Sequence, residues 1–417
     1  MQEILDYLYR LERFGIKLGL EETTKLLNLL ENPQNKFKSI HIAGTNGKGS
    51  TSAFLASILQ QAGYKVGLYT SPHLVKFNER IRINNQQISD RQLVQLTKQI
   101  KQITERNNLK PTFFEFTTSL AFKYFAEQKV DIAVIETGMG GRLDATNILN
   151  PLISVITNIS FDHQKYLGDT LDKIAQEKAA IIKENSLVLT GENDLELLNI
   201  FKNEALTKNA EFFILNNNFK LVDSNLEEQE FSFYGETYQI KLLGEHQIKN
   251  ASLALETIFL LNKKEKVKVT LEQIKSGLLN TTWAGRLQIL QKEPLIILDG
   301  AHNVAGMQRL RNFVQKIPSK FNQKVLILGI AEDKEISEMC SLICPLFENI
   351  ILTQGNYKPA SLDVLEKEVK KYNQNIFKFK NSQEAINKAI SLTKKDDFML
   401  ICGSIYLVGD VLGNFSD

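Results

Sequence analysis

The densest set of chemistry-bearing residues is Gly44-Thr45-Asn46-Gly47-Lys48-Gly49-Ser50. It follows a β-rich apolar run at 39–43 and leads into a helical stretch at 51–62. Glycines there let backbone N–H groups turn inward on an anion. The helix N-terminus adds positive potential, and Lys48 offers a mobile charge for β- and γ-phosphates. The spacing departs from the usual phosphate loop. Ile42 stands where a glycine is expected, Gly49 follows the lysine in place of Ser or Thr, and the hydroxyl is displaced to Ser50. A glycine-rich turn without a ligand is the alternative, and the strand–loop–helix setting argues against it.

Other polar residues sit where apolar runs end. Glu136 closes the run 130–135 and opens Thr137-Gly138-Met139-Gly140-Gly141. A carboxylate there is hard to justify as core, although a helix-capping acid is an alternative. Asn250, at the start of a helical stretch 247–262, has an amide that suits an adenine edge and equally suits a helix-start polar cluster. Arg286 in Trp-Ala-Gly-Arg-Leu-Gln lies where two patterns join, so an arginine reaching phosphates from there would link closure to catalysis. Phe114 can stack on a flat heterocycle or serve as core. Asp144 can accept paired N–H bonds or brace Arg142. Asp299-Gly300-Ala301-His302-Asn303 follows a strand, and Cys402-Gly403-Ser404 repeats that layout, as a possible glutamate or phosphate contact. Taken alone, Ser71 reads as a turn residue before Pro72, His163 as an exposed loop histidine, and Lys178 as a lysine snorkelling from an apolar helix.

The elements that position these residues alternate. Runs at 39–43, 65–69, 130–135 and 152–156 each end in glycine or polar residues and pass into helical patterns, the signature of a parallel sheet with crossover helices. Ligands of such sheets sit outside the carboxyl ends of the strands. Residues 212–215, 219–222, 231–234 and 238–243 read as short antiparallel strands of an appendage. Strands at 295–298, 324–328, 349–352 and 398–402 then restart the α/β pattern. The expected fold class is α/β: a P-loop-type parallel-sheet domain with a small antiparallel β appendage at 1–287, then a Rossmann-like α/β domain at 288–417.

With 417 residues, two domains are expected. A formal charge of +2, from 50 basic and 48 acidic residues, argues against a nucleic-acid partner held by a large positive field. Three cysteines, Cys340, Cys344 and Cys402, are too few for a disulfide framework and point to a reducing compartment. Cys340 and Cys344 share a helix face but have no nearby partners to complete a metal site. The first residues carry Ile4, Leu5, Leu8 and Leu11 at helical spacing, without the basic and apolar regions of a signal peptide. No apolar run approaches the roughly 20 residues of a membrane span. A cytoplasmic protein with no membrane partner is expected.

The sequence Gly-Thr-Asn-Gly-Lys-Gly-Ser resembles the Mur-type ligases, and especially the dihydrofolate synthases and folylpolyglutamate synthases. The resemblance extends in order through YLYRLERFGIKLGLE, LYTSPHLVKFNERIRIN, FFEFTT, ETGMGGRLDATN, FDHQKYLGDTLDKIAQEKAAIIK, GEHQIKNASLAL, WAGRLQ and DGAHNVAG, nearly the whole chain. It implies ATP as substrate, attack of a substrate carboxylate on the γ-phosphate, and displacement of phosphate from the acyl phosphate by the amine of L-glutamate. It also implies two Mg²⁺ sites and K⁺. Ser71 and Glu136 would bind one Mg²⁺, His163 the second, and Lys178 would be carbamylated and act as a metal ligand or bridge. Residues 44–50, Asn250, Arg286, Asp299 and His302 would contact ATP, with Arg286 counted among the catalytic residues beside Lys178, His163 and Glu136. Phe114 and Asp144 would hold dihydropteroate, with reduced folates as further acceptors, in a monomer. The chain departs from the family at Ala180, where glycine is frequent, and at Ala284, where proline is more frequent. A ligase acting on a UDP-linked cell-wall precursor, and a P-loop protein without ligase chemistry, are the competing readings. The first usually needs an N-terminal domain for which 43 residues leave little room.

Overall fold

Short runs of Ile, Val and Leu with no polar alternation are strands buried on both faces, and helices must cover them. The computed structural model describes residues 1–11, 19–317 and 321–415; residues 12–18 of the N-terminal motif lie outside the described residues. The strands are β1 Lys38–Ala43, β2 Val66–Tyr69, β3 Ile81–Ile83, β4 Gln86–Gln87, β5 Ile132–Glu136, β6 Ile153–Ile156, β7 Leu187–Thr190 and β8 Glu211–Ile214, then β9 Lys220–Ser224, β10 Gln229–Phe233 and β11 Glu236–Ile240. The remainder are β12 Gln288–Lys292, β13 Leu295–Leu298, β14 Lys324–Leu328, β15 Asn349–Leu352, β16 Ile376–Lys378 and β17 Phe398–Cys402.

The chain divides into two compact units. The first comprises Met1–Asp223, Glu230–Lys241 and Gln247–Thr281, and the second Ser224–Gln229, Leu242–His246 and Thr282–Asp417. The first carries an eight-stranded sheet in the order β4-β3-β2-β5-β1-β6-β7-β8. From β2 to β8 neighbouring strands are parallel, while β3 and β4 add an antiparallel edge. The expected four-stranded appendage is corrected here. The run at 212–215 is β8, parallel to β7 in the large sheet, and only β9, β10 and β11 form the separate three-stranded sheet. Antiparallel and parallel edge strands have the same local composition, so only the pairing partner separates them.

Helix Phe113–Glu127 is apolar nearly all round, as a helix buried against both sheet and helices must be. Thr112 starts it with a capping box, accepting from Glu115 N while the Glu115 carboxylate accepts from Thr112 N. Its Phe116, Leu120, Phe122 and Phe125 join Ile4, Leu8 and Leu11 of helix Gln2–Leu11 in one core. Leu5 packs on that core only partly buried. The helix after the phosphate loop runs Lys48–Gln61, three residues earlier than its apolar pattern suggests, because glycine and serine can occupy a first turn without contributing to a hydrophobic stripe.

The second unit holds a six-stranded sheet, β12-β13-β17-β14-β15-β16. β12 is antiparallel to β13 and the rest are parallel. Cys340, Cys344 and Cys402 are free and buried in its core with Leu326, Leu328 and Phe398. Among the described residues no helix is long and apolar enough to cross a membrane.

Ile40 is fully buried in β1, paired on both sides. Ile40→Ala should therefore cost about 2–5 kcal/mol of stability, read as a fall in unfolding midpoint of the whole chain in urea or on heating.

Candidate active site

β1 lies between β5 and β6, with Ile42 opposite Glu136 and Ala43 opposite Ile156. All three strands run the same way, so the segments that leave their carboxyl ends emerge at one edge of the sheet. These are the segments that begin at Gly44, Thr137 and Thr157.

The phosphate loop is locked to the segment after β6. Thr45 N donates to Asn158 O (2.9 Å) and Asn46 N to Asn158 Oδ1 (3.2 Å). Thr157 Oγ1 and Asn158 Nδ2 both donate to Asn46 O, at 2.7 and 2.6 Å. Thr45 Oγ1 donates to Ser160 O and accepts from Ser160 N, each at 3.0 Å. Approach this close leaves no room for a side chain: a methyl group on Gly44 (φ 147°) would stand 1.8 Å from Thr157 Oγ1. Gly47 caps the helix in the left-handed region (φ 87°), and a methyl group there would meet Asn250 Oδ1 at 2.5 Å. Asn250 is thus packed against the loop, its Nδ2 donating to Gln247 Oε1 (2.9 Å). The clamp by Thr157, Asn158 and Ser160 escapes a reading by motif. Its only trace in the sequence is a polar run after an apolar strand.

Two lysines converge on one carbonyl. Lys48 Nζ donates to Gly44 O (3.0 Å) and Thr45 O (3.2 Å), and Lys178 Nζ donates to Gly44 O (3.0 Å). Lys178 stands in the last turn of helix Leu171–Ala179 and is buried, so it does not snorkel. Burial, and then the Lys48 charge, push its amine down to about 7 against the pull of Asp162, Asp144 and Glu177. Asp162, buried beside His163, is a member of this charge cluster that the motif does not single out.

Glu136 is buried at the end of β5, and its Oε2 accepts from Ser71 N (3.2 Å). The sheet therefore places a carboxylate and a serine from β2's end side by side. That donor set fits Mg²⁺, which takes one or two protein oxygens and completes its shell with water and phosphate. His163 has a left-handed backbone (φ 51°), with Nε2 3.8 Å from Asp162 Oδ1. Among the described residues no three His, Cys, Asp or Glu groups stand together in a way that could hold a metal.

Asp144 is buried and fully engaged by its own loop. Oδ2 accepts from Met139 N (2.9 Å), and Oδ1 from Thr146 N (3.0 Å) and from Thr146 Oγ1 (2.5 Å). It does not brace Arg142, whose Nε and Nη2 both bond Glu177 Oε1, at 3.0 and 2.8 Å. Burial raises the Asp144 carboxyl against these donors. Phe114 is partly buried, tilted on Tyr69 at 6.0 Å between centroids and lying over Gly138 of the same loop.

In the second unit, Asp299 begins the segment after β13. It accepts from Leu287 N and Ala301 N, both at 2.8 Å, and burial raises its carboxyl against the opposing pull of Arg286. Arg286 Nη1 donates to Gly285 O (3.2 Å), and the His302 ring bonds Gly300 O through Nδ1 (2.8 Å). Arg286, Asp299 and His302 thus bond to two backbone segments, 285–287 and 300–301, which are joined by Gly300 N donating to Gly285 O (2.9 Å). Ser404 is buried, and its Oγ accepts from Tyr406 N (3.2 Å) at the start of helix Ile405–Phe415.

Comparison with known proteins gives the family. The family model for the Mur ligase middle domain matches residues 42–258, and that for the Mur ligase glutamate ligase domain matches residues 285–405. The dihydrofolate synthase/folylpolyglutamate synthase of Bacillus subtilis is 35% identical, over 98% of each chain. The folylpolyglutamate synthase of Thermotoga maritima superposes with a TM-score of 0.85 at 35% identity, over 100% of this chain and 96% of that one. Escherichia coli FolC, solved in complex with DHPP and ADP, superposes at 0.84 with 28% identity, over 99% and 97%.

Because a side chain at position 44 collides with Thr157, Gly44→Ala should weaken ADP binding by about tenfold or more, measured by calorimetry, with little change in far-ultraviolet circular dichroism.

Proposed function

The chain belongs to the Mur ligases, in the branch of dihydrofolate and folylpolyglutamate synthases, and on that premise we propose that it joins L-glutamate to dihydropteroate and to folyl-glutamates. It is an ATP-dependent ligase of folate metabolism. The single observation that carries the reading is the clamped phosphate loop with Lys178 and Lys48 on Gly44 O, beside the strand end that bears Glu136.

The chemistry brings two anions together. The substrate carboxylate attacks the γ-phosphorus of ATP, the bond to the bridging oxygen breaks, and ADP leaves. The amine of glutamate then attacks the acyl phosphate carbon, loses a proton and expels phosphate. The backbone N–H groups of residues 44–50 and Lys48 hold the phosphates. Asn250 positions the loop and the nucleotide, and Arg286, Asp299 and His302 are further proposed nucleotide contacts. Phe114 offers a face for the pterin, and Asp144 keeps its loop in place.

Mg²⁺, when bound, would screen the approaching anions. Ser71 and Glu136 are the proposed ligands of one ion, and His163 and a carbamylated Lys178 those of a second, with K⁺ as a monovalent cofactor. A buried amine whose pKa is about 7 is about half unprotonated near neutrality. In that form it can add to CO₂, giving a carbamate and releasing a proton. We place the chain in the cytoplasm as a monomer.

Product mass analysis with ATP, glutamate and either dihydropteroate or tetrahydrofolate tests the reading. One added glutamate on each acceptor is expected, and ATP hydrolysis with no adduct would overturn it. Lys178→Ala should lower turnover by about 100-fold while ADP affinity stays within about threefold; wild-type turnover would sink the carbamate. Since the amine loses its proton as pH rises, turnover should climb between about pH 6 and about pH 8. It should fall when bicarbonate is stripped from the buffer.

A further inference from the structure

His41 is fully buried in the middle of β1, opposite Ile135 on one side and Ser154 on the other. A histidine costs more there than the Ile or Val its neighbours use, unless its ring makes bonds. It makes one. Nε2 lies 2.8 Å from Thr146 Oγ1, while Nδ1 is buried with no partner.

The direction of that bond follows from counting protons. Thr146 Oγ1 is also 2.5 Å from Asp144 Oδ1, and Asp144 already accepts from Met139 N and Thr146 N. Backbone N–H donors on both oxygens of Asp144 favour its ionised form, which only accepts, so the single hydroxyl proton of Thr146 points to Asp144. The bond from His41 must then be a donated one, which assigns the Nε2–H tautomer and leaves Nδ1 as a bare lone pair. Burial, and the nearby charge of Lys183, keep the ring neutral, pushing its pKa down to about 3.

The loop at the far end of this relay runs between two proposed metal-binding positions. It starts at Glu136, and Arg142 N donates to Glu177 O (2.8 Å), next to Lys178. Asn147 Nδ2 donates to Ala180 O (3.2 Å) on the other side of Lys178. Whatever fixes Asp144 therefore fixes the spacing of Glu136 and Lys178. We propose that His41 is a positioning residue for ligation, acting through Thr146 and Asp144 to hold the loop 137–147 in register between β5 and helix Leu171–Ala179. It touches no reacting atom. The inference rests on the ligase reading above.

Two substitutions separate the donor from the bulk of the ring. His41→Leu keeps apolar volume and removes the donor. His41→Gln places an amide N–H near the Nε2 position. With the ligation assay above, His41→Leu should lower kcat about tenfold with KM for ATP within about twofold, and His41→Gln should recover most of that loss. Thr146→Val should match His41→Leu, and the double variant should be no worse than either single one, as expected for members of one chain. Equal losses in the Leu and Gln variants, or multiplicative losses in the double variant, would overturn the relay. So would a fall in thermal midpoint with kcat and KM unmoved. Nitrogen-15 spectra of the ligand-free chain give a readout independent of turnover and of any variant's folding. They should show His41 as the neutral Nε2–H form at neutral pH, and an Nδ1–H or doubly protonated ring would refute it. Absence of ligation by the wild-type chain would sink the ligase reading and the relay's role in turnover. Full wild-type turnover with matching Leu and Gln variants would sink the relay alone.

Discussion

The parallel pairing of β1 with β5 on one side and β6 on the other is the constraint on which the rest of the site depends. Backbone hydrogen bonds set Ile42 opposite Glu136 and Ala43 opposite Ile156. A slip of one residue would turn every side chain of β1 to the other face of the sheet. It would carry His41 away from Thr146 and put Ile40 or Ile42 in its place. Register also decides that the chain leaves β1 and β6 at the same level, which is why Gly44 and Thr157 approach closely enough to exclude a side chain. The glycines of the loop thus answer to the neighbouring strand and helix as well as to a phosphate.

Charge in the first unit is organised around that same edge. The carbonyl of Gly44 receives both Lys48 and Lys178, so the two amines share one acceptor. Two cations at such separation disfavour each other, and burial adds to the effect at Lys178. Asp162, Asp144 and Glu177 oppose it, while the Lys178 amine donates to the Gly44 carbonyl. A lysine held in this way has lost its usual role as a solvated cation. Its chemistry is set by the loop it contacts, which links the covalent state proposed for Lys178 to the element proposed to hold nucleotide phosphates.

The second unit repeats the principle with different means. β13 and β17 are parallel neighbours, and the segments after them begin with Asp299 and with Gly403-Ser404. Asp299 is spent on its own backbone, accepting from Leu287 and Ala301. Asp144 does the same in the first unit. In both units a buried carboxylate ties a loop at the carboxyl end of a parallel strand, and the donors around it keep that loop from collapsing.

Much of this protein was legible in its residues. The apolar runs that became β1, β2, β5, β6, β13, β14, β15 and β17 announce themselves by composition, because a strand buried on both faces has no room for polar alternation; β12 and β16, partly exposed at the edges of the six-stranded sheet, do not. The phosphate loop is equally legible, since glycines before a lysine and a helix have few other uses. The family follows from the order of motifs along the chain. What composition left undecided was pairing: the run that became β8 reads like the strands of the appendage, and only its neighbour β7 decides where it belongs. The same holds for the clamp by Thr157, Asn158 and Ser160, for Asp144 as a brace within its own loop, and for the ring of His41. The clamp and the His41 ring act through partners from 105 to 115 positions away along the chain, and hydrogen bonds over such separations carry no local signal; Asp144 finds its partners within five residues, where only the folded loop decides which of them it takes. Sequence determined which residue types were available at the strand ends; the parallel register, by bringing those ends to one edge, decided which of them meet.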